Sequence, residues 1–185
     1  LTNIIIASTA LSGNGDALSP SGSGSGELSF FKFNGNVLLS NLVLTGDGAH
    51  AGIQFRGADV LAPMGTVALF NVSIGGQYQH PATWVGSGLF IANYSNLAGL
   101  SMTGLSLNVT PVSPAKPVIN LYLDNVPAPL NLGAAVLGGG ASADILNLSS
   151  GTIDATTAVF SGAANNFAVE DRVIHVIDLG SPTGL

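Results

Sequence analysis

The chain has no cysteine. A disulfide framework, a thiolate metal site and a cysteine nucleophile are therefore excluded. Charge is scarce: Asp, Glu, Lys and Arg make up 8% of 185 residues, against about a quarter in an ordinary globular protein. Four residues are basic, Lys32, Arg56, Lys116 and Arg172, scattered singly along a chain of net charge −6. A basic patch for nucleic acid cannot be assembled from them. No run approaches the roughly 18 uninterrupted apolar residues of a membrane-spanning helix. Leu1 to Ala10 is short and lacks the basic flank of a signal peptide. Helical periodicity is missing almost throughout, apart from a short turn expected near Ala163 to Val169. No glycine-rich phosphate loop follows a strand and opens a helix, so nucleotide binding has no support. Gly22-Ser-Gly-Ser-Gly26 spells a nucleophile elbow but sits in low-complexity sequence, without the strand–turn–helix setting.

What is present is apolar and short. Hydrophobic residues reach 46%, too many for a disordered chain, and the length suffices for one domain with a substantial core. Val37-Leu-Leu-Ser-Asn41-Leu-Val-Leu-Thr-Gly46 alternates, bends at one Asn and resumes. Val67-Ala-Leu-Phe-Asn71-Val-Ser-Ile-Gly-Gly76 repeats it, and Leu100-Ser-Met-Thr-Gly104-Leu-Ser-Leu-Asn108 puts Gly at the corner. Leu121-Tyr-Leu-Asp-Asn125 is a looser copy. The corners are about 20 to 33 residues apart, the span of one solenoid turn. A one-residue bend needs left-handed or bridge backbone angles, which Asn and Gly tolerate best. Asn corners stacked on successive turns can also exchange amide hydrogen bonds. Asn41, Asn71, Gly104 and Asn125 are thus expected to form a structural corner ladder.

Further strands are expected over Leu1–Ala7, Leu28–Phe33, Gly52–Gly57, Gly86–Asn93, Val118–Asn125, Ile145–Leu148, Thr152–Phe160 and Val173–Asp178. In Gly52–Gly57, Ile53 and Phe55 share one face, Gln54 and Arg56 the other. Asn34-Gly35 is a turn signal. Residues 12–26 form a flexible Gly/Ser loop, and the connections after Gly46, Gly75 and Asn108 should bulge from one edge. One domain spans 1–185, expected to be a segment of a longer polypeptide because the chain opens on Leu1. The fold class is all-β, a parallel β-solenoid. A β-sandwich is the alternative, but its hairpins would use two-residue turns throughout.

With its flanking strands, the corner set resembles the right-handed parallel β-helix family of pectate lyases, polysaccharide epimerases and bacterial surface adhesins. The resemblance covers Glu27 to Ile177. The segment Ala163 to Asp178 also resembles a terminal element of large repetitive bacterial surface proteins. In the lyase members, clustered Asp residues hold Ca²⁺ and an Arg or Lys takes a proton from the sugar. Asp47, His50, Arg56 and Asp59 fall within one turn's length, but no lyase or epimerase motif can be matched residue by residue. An outward ion pair of Arg56 with Asp59 or Asp47 is the plainer reading.

Tyr78, His80 and Trp84 form the most aromatic loop and could stack on a sugar ring. Folding against the molecule's flank or a neighbour is the competing reading. Asp16 and Asp47 lie in Gly-rich loops that could offer oxygens to Ca²⁺, with ordinary turn chemistry as the rival. No other cofactor is expected. His175, on the face of Val173 and Ile177, reads as a structural or interface His, and no His pair has metal-ligand spacing. Sequons occur at Asn71, Asn93, Asn108 and Asn147, of which Asn108, on a loop, best suits a glycan. Regular Thr-x-Thr ranks for an ice or mineral surface are absent.

These features point to a non-enzymatic module outside the cell or on its surface: a surface layer, an adhesin or a self-assembling filament. The apolar first and last strands offer Ile4, Ile5, Ile6, Val173, Ile174 and Val176 as assembly contacts, with no polar cap over either. The partners would be further copies or neighbouring domains. A polysaccharide-binding or polysaccharide-modifying β-helix is the alternative.

Overall fold

Short β-branched and apolar segments cut by Asn, Gly and Pro satisfy their backbone groups by lateral pairing. The computed structural model describes residues 3–11, 27–31, 35–58, 60–79, 85–113, 117–161, 165–167 and 175–176. Among these the chain forms strands and no helix. The first are β1 (Asn3–Leu11), β2 (Leu28–Phe31), β3 (Asn36–Ala49), β4 (Ala51–Arg56), β5 (Ala62–Pro63) and β6 (Val67–Tyr78). Next come β7 (Gly86–Ala92), β8 (Tyr94–Asn96), β9 (Leu100–Thr103), β10 (Ser106–Pro111), β11 (Val118–Asp124) and β12 (Leu130–Asn131). The last are β13 (Val136–Leu137), β14 (Ala143–Leu148), β15 (Thr152–Asp154), β16 (Val159–Phe160), β17 (Asn165–Phe167) and β18 (His175–Val176).

Every pairing among the described strands is parallel. The hairpins of an antiparallel sandwich are not found there. A seven-stranded sheet runs β1-β3-β6-β10-β13-β16, with β9 also on β6. A six-stranded sheet runs β2-β4-β7-β11-β14-β17. Two small sheets pair β5 with β8 and β12 with β15 and β18. From β4 onward the chain visits the six-stranded sheet, a small sheet and the seven-stranded sheet in turn. In the two large sheets successive visits add strands alongside those already laid down, whereas the small-sheet strands β8 and β12 belong to separate sheets.

The register keeps like residues side by side. Leu28, Ile53, Leu89, Leu121 and Ile145 make one row of the six-stranded sheet. Leu44, Ile74, Leu107 and Leu137 make one row of the seven-stranded sheet. Both rows are buried in a single apolar core. Phe30 stacks on Phe55 there, with ring centroids 4.8 Å apart and 12° between planes, a pair that contributes about 1 kcal/mol beyond its buried area.

The outer faces differ. Along β3, Val37, Leu39, Leu42 and Leu44 are buried while Leu38 and Val43 are exposed. Along β11, Val118, Ile119, Leu121, Tyr122 and Leu123 are all buried. Ile119, Tyr122, Ala143 and Leu146 form a second apolar cluster, with Val85, Phe90 and Leu148 against it. Phe90 and Tyr122 meet at 4.9 Å, tilted by 55°. Gln54, expected on an outward face, is buried in the same sheet.

Some expected boundaries shift. Thr152–Phe160 is two strands, because Asp154 caps a turn by accepting from the Thr156 N–H at 3.1 Å and hydroxyl at 2.8 Å. Within the turn expected over 163–169, Asn165–Phe167 is strand β17, paired to β14. Asn108 stands in β10 rather than on a loop. The loop 12–26 and Asn34 lie outside the described residues.

Candidate functional site

The single-residue corners are real bends. Asn41, Asn71 and Gly104 have φ of 52°, 50° and 65°. They stack, because Ser40, Phe70 and Thr103 align before them and Val43, Ser73 and Ser106 after them. The Asn71 amide donates to Asn41 Oδ1 at 3.2 Å. A Cβ at Gly104 would sit 2.5 Å from Asn71 Oδ1, so a side chain on this rung would require the Asn71 amide to move, while the positive φ favours glycine.

Asn125 belongs to a different ladder. Its φ is 53°, and its amide donates to Asn93 Oδ1 at 2.9 Å, Asn93 having φ 59°. Both follow the aligned pair Ala92 and Asp124 at the end of the six-stranded sheet. The expected single ladder is therefore two. Sequence reading missed Asn93 as a corner, although a strand ending in Asn at the same offset as Asn125 was its signal. Gly57 holds the preceding rung, its N–H donating to Ala92 O at 2.9 Å. Ser149 holds the next, its Oγ accepting from Val126 N–H at 2.8 Å.

The sequons separate on the same grounds. Asn147 is fully buried, donating to Gly151 O at 2.9 Å and accepting from Ser149 N–H at 3.1 Å. Asn71 is committed to Asn41. Asn108 is exposed.

Tyr78 is not a sugar-stacking residue: its ring is fully buried. Its hydroxyl donates to Glu27 Oε2 at 3.2 Å and accepts from Gly46 N–H at 3.1 Å. Gly46 is glycine because a Cβ there would be 2.2 Å from the Tyr78 ring. Burial pushes the Glu27 carboxyl up to about 7, with the Tyr78 hydrogen bond pulling weakly the other way. Burial, and then the charge of Glu27, raise the Tyr78 phenol. Among the described residues Glu27 Oε1 has no hydrogen-bond partner.

A second buried acid is Asp144, raised by burial against the pull of Asn120. The Asn120 amide donates to Asp144 Oδ1 at 2.6 Å and to Gly138 O at 2.9 Å, while its Oδ1 accepts from Val109 N–H at 3.1 Å. Asn120 thereby ties the six-stranded sheet to the seven-stranded one. Both acids are closed off from solvent: Glu27 meets Tyr78 of the seven-stranded sheet, and Asp144 holds Asn120, its neighbour within the six-stranded sheet. Sequence reading passed over them; the signal was an acid beside apolar neighbours, as in Ala143-Asp144-Ile145.

Arg56 is exposed at the end of β4, beside Phe31 and Ala92. His50 is half-buried, and its carbonyl accepts from Ser87 N–H at 2.9 Å. Asp47 lies in β3 opposite Gln77. Asp16, Asp59, His80, Trp84, Val173 and Ile174 lie outside the described residues, so neither the Arg56–Asp59 pair nor the full aromatic loop falls within them. Ile4, Ile5 and Ile6 pair through β1 with Val37, Leu38 and Leu39. Val176 pairs with Ile153, and His175 with Thr152. Among the described residues no three His, Asp or Glu side chains gather as a metal site, and no helix is long and apolar enough to cross a membrane.

Comparison with protein-family models, with curated proteins and with solved structures finds no match to this chain.

Proposed function

We propose that the chain is a right-handed parallel β-helix serving as a non-enzymatic structural module outside the cell, in a surface layer, an adhesin or a self-assembling filament. The cyclic order of visits to the sheets supports the helix, and crossovers between parallel strands are almost always right-handed. One observation carries the assembly reading. Among the described residues β1 pairs with β3 and is the end strand of its sheet, the position at which a further parallel strand would add. Strands in that position recruit like strands. An end that adds a copy head to tail does not close on itself, and the product is a fibre. Ile4, Ile5 and Ile6 lie on that edge strand and are the proposed contacts, with Val176 in β18 at the opposite end of its sheet.

The polysaccharide reading loses its central aromatic, because Tyr78 is inside the molecule. The test is electron microscopy of the purified protein at physiological salt, with and without Ca²⁺. Filaments or regular sheets are expected in both. Dispersed single particles at high concentration would overturn the assembly reading.

A further inference from the structure

We infer that Asn108 is a modification site, the point of attachment for an N-linked glycan. The inference rests on the reading above only in placing the chain outside the cell, on the route where such a sugar is added. Filament formation plays no part in it.

Sequons occur at Asn71, Asn93, Asn108 and Asn147, and the fold treats them differently. Asn147 is fully buried, with both ends of its amide bonded to backbone. Asn71 and Asn93 sit at positive φ on single-residue corners, each bonded to another Asn of its ladder. A sugar on Asn71 Nδ2 would be wedged against Asn41, whose Oδ1 is 3.2 Å away. Of these residues, Asn108 alone is exposed in unbent strand. Among the described residues no hydrogen bond engages its amide.

The surroundings of Asn108 are bare. Strand alternation puts Asn108 and the sequon hydroxyl of Thr110 on the outer face, with Val109 buried between them. Thr110 Oγ1 donates to Gly76 O at 3.2 Å, which ties the strand to its neighbour and leaves the asparagine free. The residue paired with Asn108 on one side is Gly75. On the other side Leu137 pairs with Leu107, so Gly138 comes opposite Asn108, and Gly139 and Gly140 follow. A Cβ at Gly139 would run into Asn108 Oδ1. One at Gly75 would meet nothing nearer than Asn108 O at 3.5 Å. Asn108 thus stands in a clearing with glycine on both flanks. A sugar ring on Nδ2 meets no side chain on the paired residues and displaces no hydrogen bond of the described fold. The strand β10 lies three places from β1 and two from β16 in its sheet, so the glycan leaves the sheet's end strands uncovered.

The donor is an activated sugar, a glycosyl pyrophosphate carried on a lipid. Asn108 Nδ2 forms the new bond to the anomeric carbon. The bond from that carbon to the phosphate oxygen breaks, and its electron pair leaves with the pyrophosphate. One Nδ2 proton passes to a base of the transferase. The other stays, so the linked amide keeps one donor.

Peptide mapping by mass spectrometry tests this on the whole chain secreted from a eukaryotic host. The peptide bearing Asn108 is expected to carry a glycan that peptide-N-glycosidase removes, leaving Asp. Asn71, Asn93 and Asn147 are expected bare. Thr110→Val should abolish the modification, and Thr110→Ser should retain it. A secreted, folded chain with bare Asn108, or with the glycan at another sequon instead, overturns the proposal. The lack of cysteine supplies a second test that needs no host enzyme. Asn108→Cys should react with a maleimide–polyethylene glycol while folded, and keep its melting curve once labelled. Val109→Cys, on the buried side of the same strand, should react at least about a hundredfold more slowly, because it waits for the chain to open. A folded Asn108→Cys chain that resists labelling, or unfolds on labelling, also overturns the proposal. Microscopy decides the filament reading separately: dispersed particles glycosylated at Asn108 sink that reading alone, and filaments bare at Asn108 sink this one alone.

Discussion

The two large sheets share strand direction and apolar inner rows, yet they end differently on the outside. In the seven-stranded sheet the outward row Leu38, Ala68 and Ser101 faces solvent or lies partly open. In the six-stranded sheet the corresponding outer row runs Gln54, Phe90, Tyr122 and Leu146, and only Phe90 retains appreciable exposure. Parallel sheets are usually covered on both faces and read as unbroken apolar runs. One sheet here obeys that rule, and the other alternates as a half-solvated sheet does. The same backbone geometry is thus stabilised by one core on one side of the molecule and by two on the other.

Substitution should expose that difference most sharply at the aromatic rings. Tyr122→Ala removes a buried ring packed on Phe90 and should cost about 3–5 kcal/mol in urea unfolding. Phe70→Ala, on the open face, should cost no more than about 1 kcal/mol. Equal losses would mean that the two outer faces are energetically alike.

The next effect is one of pH. Glu27 precedes β2 of the covered sheet and bonds to Tyr78 at the end of β6. Its carboxyl is pushed up from 4.5 to about 7, so the folded state holds the proton more tightly than the unfolded chain. Its contribution is complete below about pH 4.5, falls as pH rises, and is gone above about 7, a loss of about 3 kcal/mol. Asp144, also raised, acts in the same direction. Subtracting the stability of Glu27→Gln from that of the wild type at each pH isolates the Glu27 share. A difference that stays flat from pH 4 to pH 8 would show that Glu27 is not buried as described.

Glycines sharpen the comparison further. A Cβ at Gly52, in the covered sheet, would lie 2.3 Å from Ile74 Cγ2 and 2.9 Å from Gly88 O. Gly52→Ala should therefore destabilise by about 1–3 kcal/mol through overpacking. A Cβ at Gly75, in the open sheet, would find nothing nearer than Asn108 O at 3.5 Å. Gly75→Ala should be neutral, or stabilising by about 0.5 kcal/mol through the unfolded chain. Thermal melts of the two variants make the measurement, and a drop at Gly75 matching that at Gly52 would contradict this packing.

The open sheet was the more legible in sequence. Its alternation from Val37 to Leu44, broken once at Asn41, encodes strand, corner and inward face together. The covered sheet was legible as strands but not as a two-faced layer. Gly-Ile-Gln-Phe-Arg reads as ordinary alternation, and a single polar residue cannot reveal that its own face is covered. Val118 to Leu123, apolar apart from Asn120, was the better clue to double burial. The Glu27–Tyr78 bond joins residues 51 positions apart, and no local periodicity can announce such a pairing. Assigning Asn125 to the wrong ladder has a similar origin. Spacing along the chain gives the length of a turn but not which of its corners a residue occupies.

The corners themselves should behave alike in both sheets, which bounds how far the contrast extends. Asn71 donates to Asn41 in the open sheet and Asn125 to Asn93 in the covered one, and both bonds are solvent-exposed. Each donor sits at positive φ, where a Cβ without a polar side chain costs about 1–2 kcal/mol. Asn71→Ala and Asn125→Ala should therefore lose about 1–2 kcal/mol apiece. Asn71→Gly and Asn125→Gly, which keep the bend and forfeit the amide bond, should lose about 0.5–1 kcal/mol. Denaturant midpoints for the four variants decide it. If the Asn125 pair lost several-fold more than the Asn71 pair, the covering of the six-stranded sheet would have to reach its corners. If the Gly variants fell as far as the Ala variants, the amide ladder rather than the backbone angle would be what selects Asn at these positions.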